Sequence, residues 1–140
     1  VWAEKLRYEE GSDTIGSFSS YDDLYADTKY WVESGWLDYI APQIYYEIGG
    51  DVIDFTVLLD WWSEVVEASE TDTKLYIGLA DYKATEEGYF SPWHNGREIA
   101  RQMNACRSSG KIDGMLHFRY KFIADNPALR RIIGQAYQMK

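Results

Sequence analysis

The sequence has 140 residues, 46% of them hydrophobic, which is enough for one ordinary core. It is too short for a complete (β/α)8 barrel, which takes roughly 200 residues or more. Fourteen Lys and Arg against 23 Asp and Glu leave a formal net charge of −9, which speaks against a nucleic-acid partner because phosphate binding begins with a basic field. No stretch approaches the roughly 18 consecutive apolar residues of a membrane span. A lone Cys106 excludes an internal disulfide, and with only His94 and His117 beside it there is no Cys/His zinc cluster, so no metal and no cofactor is expected. The aromatic content is high, 16% with six Trp and twelve Tyr, a composition shared by sugar-binding surfaces and by aromatic-packed cores.

In chain order, apolar spacing from Ser20 to Gly35 predicts a helix, with Ser20 as N-cap and Asp23 in the reciprocal capping position. Residues 37–46 read as a strand in which Pro42 should break the pairing, because proline removes a ladder donor. Helical spacing returns from Asp54 to Ala68 with Trp61 and Trp62 as packing residues, and a second strand follows at 74–80. A loop to His94 leads into a helix ending near Ser108, then a third strand at 114–120. Asn126-Pro127 caps the last helix, whose apolar face is Leu129, Ile132, Ile133 and Ala136.

The strand starts Leu37, Leu75 and Met115 lie 38 and 40 residues apart, so the chain repeats a βα unit: α/β class, three parallel strands alternating with four helices. Pattern alone leaves an open doubly wound sheet and an arc of a barrel both standing. In either, ligands collect where strands end and loops begin. Those positions hold Gln43, Tyr45, Tyr46 and Glu47 after the first strand, Asp81, Tyr82 and Lys83 after the second, and Arg119 and Lys121 after the third. Glu47 is the leading candidate for a catalytic carboxylate, with Asp81 the other carboxylate at that level, although strict alternation points Asp81 away from it. The third strand places Met115, His117, Arg119 and Lys121 on one face, the mixed polar and so functional one, with His117 itself expected as a hydrogen-bonded interior residue rather than a ligand, and Leu116, Phe118 and Tyr120 on the other. Tyr46, Tyr89, Phe90 and Trp93 form either a carbohydrate platform or a cover over the strand ends. No phosphate loop or nucleophile elbow is present.

Three stretches go beyond pattern: Ser20-Tyr21-Asp22-Asp23-Leu24-Tyr25-Ala26-Asp27-Thr28, Gly35-Trp36-Leu37-Asp38-Tyr39-Ile40-Ala41-Pro42-Gln43-Ile44-Tyr45, and Asp60-Trp61-Trp62. Together they resemble the bacterial glycosyl-hydrolase-like family ten, and Leu75 to Gly78, Tyr82-Lys83, Gly114 to Phe118 and Asn126-Pro127 fit its later strands. The resemblance implies the C-terminal half of a (β/α)8 TIM barrel, a single partial domain over 1–140 with barrel strands six to eight. Strands one to four and most of strand five would be absent, and with them the family's acidic motif at the end of strand four.

It further implies a secreted or cell-envelope protein acting on bacterial cell-wall or related glycans. Gln43, Tyr45, Glu47, Tyr82, Lys83, Arg119 and Lys121 would then line the cleft, with Glu47 as acid/base from its own position after the strand and Tyr46 and Trp93 adding substrate contacts if the aromatic cluster is a platform. Tyr46 stands where many members carry tryptophan. Alone, such a half would be inactive and would associate through its exposed strand edges, either with the missing half or with itself. A non-catalytic carbohydrate-binding or interaction module is the alternative.

Overall fold

A computed structural model of the protein describes residues 1–86 and 88–138. Its centre is a parallel sheet of three strands, β1 (Tyr39–Ile40), β2 (Lys74–Leu79) and β3 (Gly114–His117), in the order β1-β2-β3. Among the described residues it is accompanied by seven α-helices rather than the expected four, the extra ones short: α1 (Ser20–Leu24), α2 (Thr28–Glu33), α3 (Phe55–Ala68), α4 (Lys83–Glu86), α5 (Arg97–Ser109), α6 (Tyr120–Asp125) and α7 (Pro127–Gln138). None of them is long and apolar enough to cross a membrane.

The two long crossover helices decide between the architectures that pattern left open. Both α3 and α5 pack on β2 and on each other, and α5 also packs on α7, so the helices share one side of the sheet. Leu75, Ile77 and Leu79 meet that layer fully buried, together with Phe55, Leu58, Ile99, Met103 and Leu129. The opposite face is open: Tyr39 is 57% exposed, Leu116 and Phe118 each 46%. A doubly wound sheet covers both faces, whereas consecutive strands wound on one side form part of a (β/α) barrel.

The first strand is shorter than 37–46 for the reason expected at Pro42. Ladder pairing stops after Ile40, and the chain touches β2 again only at the Gln43–Gly78 bridge. There Gly78 N–H donates to Pro42 O at 2.9 Å. A Cβ on residue 78 would stand 3.0 Å from Pro42 O and 3.2 Å from Gln43 Cα, so glycine permits this approach. The third strand stops at His117, and α6 begins three residues later.

The helical stretch from Ser20 to Gly35 resolves into two helices, because Tyr25 takes a left-handed conformation (φ 53°) and Asp27 caps α2 by accepting from Tyr30 N–H. The first cap is Ser19, one residue earlier than expected. Its Oγ accepts from Asp22 N–H, and its own N–H donates to Asp23 Oδ2, so Asp23 does reciprocate. The N-terminal segment packs on α3 through stacked Trp2 and Trp61, ring centroids 5.7 Å apart.

Candidate functional site

Past the C-terminal ends of the strands, three aromatic rings converge on the open face. Tyr45 follows the Gln43 bridge, Tyr82 follows β2, and Phe118 follows β3. The centroids lie 6.0 Å apart for Tyr45–Tyr82, 6.2 Å for Tyr45–Phe118 and 6.5 Å for Tyr82–Phe118, with Phe122 adding a ring 6.1 Å from Tyr82. Each ring comes from a different βα loop, so only the folded sheet assembles them. Burial, reinforced by Tyr82 and Asp81, raises the pKa of the Tyr45 phenol, and burial with Tyr82 raises that of Tyr46. Both hydroxyls therefore remain hydrogen-bond donors through neutral and mildly alkaline pH.

Beside the rings, Lys83 Nζ donates to Tyr45 O at 2.9 Å and sits 4.7 Å from the centre of the Trp93 ring. Trp93 is 4% exposed, so it supports this lysine and covers the strand ends, while Tyr89 and Phe90 project into solvent at 72% and 96%. Glu47, half-buried, lines a cavity of about 480 Å³ with Tyr46, Asp51, Lys83 and Trp93. Tyr45 and Tyr46 also border a neighbouring cavity of about 340 Å³, floored by Ile44, Leu58 and Trp62 and reached by Gln43.

The remaining predicted residues lie elsewhere. Asp81 is fully buried on the helix side, both carboxylate oxygens facing His117 Nδ1 at 3.0 and 3.1 Å, so Nδ1–H donates, while Nε2 lies 3.1 Å from Tyr137 Oη. His117 thus points into the helix layer, opposite to the face assigned from the sequence, and its neighbour Phe118 points to the open one. The register shows why: Leu79 pairs with His117 and Gly78 with Leu116, and partners in a parallel ladder share a face. Arg119 is exposed, 5.7 Å from the Phe122 ring, and Lys121 lines a separate cavity of about 490 Å³ with His94, Asn95 and Asp125. Among the described residues no ion pair joins Glu47 to either cation, and the cation that shares the Glu47 cavity is Lys83. Phe118 is the site residue the sequence reading missed, and the β2–β3 register is the signal that locates it.

A one-sided parallel arc whose aromatic and ionisable side chains gather beyond its strand ends is part of a (β/α) barrel, with these loops as its ligand-facing end. Within that class the chain belongs to the glycosyl hydrolase-like 10 family, whose model matches residues 7–94. It is 40% identical over 127 residues to the glycosyl hydrolase YngK of Bacillus subtilis (strain 168), a match covering 91% of this chain and 24% of that protein. It is also 41% identical over 127 residues to the glycosyl hydrolase DigH of Escherichia coli (strain K12), covering 88% of this chain and 28% of the relative. The chain spans about a quarter of the length of these curated relatives.

Proposed function

We propose that this chain forms the C-terminal-half wall of a glycoside-hydrolase cleft that binds and cleaves bacterial cell-wall or related glycans in the envelope or outside the cell. The observation that carries the reading is the Tyr45–Tyr82–Phe118 cluster: three rings from three loops give a pyranose an apolar face to stack on, and the tyrosine hydroxyls meet its hydroxyl groups. Membership of a glycosyl hydrolase-like family supports the same substrate class. Glu47 is the proposed acid/base. It donates a proton to the leaving glycosidic oxygen and later withdraws one from water, while Lys83 and Gln43 orient hydroxyls.

Such hydrolysis takes two carboxyl groups, and Asp81 is engaged with His117 on the helix side. The partner of Glu47 is therefore assigned to the half of the barrel preceding this chain, which makes the isolated chain inactive. The same placement of Asp81, with the exposure of Tyr89 and Phe90, favours the second reading, a glycan-binding module without turnover.

The test is hydrolysis of peptide-free peptidoglycan strands and chitooligosaccharides by the full-length protein and by this segment alone, with glycan binding measured in parallel. Turnover by the full-length protein that Glu47→Gln abolishes while binding persists supports the hydrolase. Binding without turnover in either form supports the module.

A further inference from the structure

Glu98 is fully buried on α5, a helix otherwise polar on its outer side, and the proposed chemistry does not use it. Removing a carboxylate from water is costly unless hydrogen bonds compensate, so its partners matter. Oε1 accepts from Ile48 N–H at 2.7 Å and from Gln102 Nε2 at 3.1 Å, and Oε2 takes Arg101 Nη1 at 2.7 Å. Gln102, also fully buried, donates from the same Nε2 to Tyr46 O at 2.8 Å.

These contacts bracket one residue of the β1–α3 loop. The carbonyl of Tyr46 and the N–H of Ile48 belong to the peptide units on either side of Glu47. A third bond completes the arrangement, Phe55 N–H to Glu47 O at 3.1 Å. Both peptides flanking the Glu47 Cα are held, two of the three bonds by side chains that reach fifty residues or more along the chain. The loop has no regular structure between Ile40 and Phe55, and its other anchors, Lys83 Nζ to Tyr45 O and Gly49 N–H to Asp54 Oδ2 among them, fall outside the two peptides that flank Glu47.

We infer that Glu98 and Gln102 are positioning residues for Glu47, a buried pair on the outer helix that fixes the direction of its side chain into the cavity shared with Lys83. The inference rests on the reading of Glu47 as acid/base. A carboxyl group displaced by about 1 Å from its reacting oxygen loses up to about 100-fold in rate while substrate is still bound. Stacking on Tyr45, Tyr82 and Phe118 involves neither α5 side chain, so affinity and turnover separate.

The experiment compares Glu47→Gln, Glu98→Ala, Glu98→Gln and Gln102→Leu in the full-length protein on peptide-free peptidoglycan strands, recording kcat, KM and the pH profile of kcat. Expected are a 10- to 100-fold loss of kcat (about that range) in Glu98→Ala and Gln102→Leu, with KM nearly unchanged and an altered pH profile. Glu98→Gln, which keeps an oxygen for Ile48 N–H, should recover most of the rate. A fall in folded protein scales rates equally at every pH and leaves the profile's shape intact, so that pattern overturns positioning. If Glu47→Gln is inactive while Glu98→Ala and Gln102→Leu keep wild-type kcat and profile, the positioning role alone fails. If Glu47→Gln keeps its rate, the acid/base reading fails and the inference falls with it.

Discussion

Two neighbouring residues, His117 and Phe118, show how much of the site a sequence can disclose. Alternation separates them correctly onto opposite faces, but only the pairing of Leu79 with His117 says which face meets the helices. His117 is the hydrogen-bonded interior histidine expected, bonded to Asp81 and Tyr137, but on the packed side rather than the cleft side to which its strand's polar face is assigned. Tyr82 was legible because its strand, β2, has an evident apolar face in Leu75, Ile77 and Leu79, and Tyr45 because alternation puts it on one face with Gln43 at the end of the first strand. At Gly78 the steric argument gives a direct expectation. Gly78→Ala presses a methyl group against Pro42 O and should cost about 1–3 kcal/mol, seen as a lower Tm. Burial pushes the Cys106 thiol up to about 12 from its ordinary 9, so it should resist iodoacetamide at pH 8 in the native protein and react on unfolding. Native stability is therefore at its full value with respect to this thiol below pH 9 and falls as pH rises from 9 through about 12, because only the unfolded thiol ionises in between.

Among the elements, long helices with regular apolar spacing were legible and short ones were not. The stretch Phe55–Ala68 follows from the spacing of Leu58, Trp62 and Val65, whereas α4 and α6 are set by turns of the loops above the sheet. β1 is two residues long because Pro42 withholds a donor, a constraint visible in the sequence although its extent was not. The helix that follows has a cap with a measurable pH signature. Burial works against ionisation of Asp54, but the Thr56 hydroxyl and the amides of Thr56, Gly49 and Val57 outweigh it and hold its pKa below the ordinary aspartate value. Its contribution to stability is therefore present above about 3.8 and is lost as pH falls through the lower, folded value. Asp54→Ala should lower stability by about 1 kcal/mol at pH 7. Asp54→Asn keeps an oxygen acceptor for the cap, so it should stay nearer wild type at pH 7 and lose the acid-dependent part of the Tm curve.

At the scale of the whole molecule, helices on one side and exposed Tyr39, Leu116 and Phe118 on the other leave an apolar sheet face open to water. The 140-residue segment by itself should therefore self-associate at micromolar concentration in sedimentation experiments, and Leu116→Glu should shift it toward monomer without lowering Tm. A monodisperse wild-type segment would count against that face being a surface made for covering. Barrel membership was legible through the resemblance and the regular strand spacing, but the side on which the helices lie could be learned only from their packing. The N-terminal docking adds a property of another kind. Trp2 stacks on Trp61, and Trp61 meets Trp62 edge-on at 4.8 Å, so three indoles form one continuous array. Electronic transitions of chromophores this close couple, and the folded protein should carry an exciton couplet in its circular dichroism. The Trp2–Trp61 share of that signal, lost while the Trp61–Trp62 share within α3 persists, provides an optical marker for detachment of the first residues from α3 with the sheet itself intact.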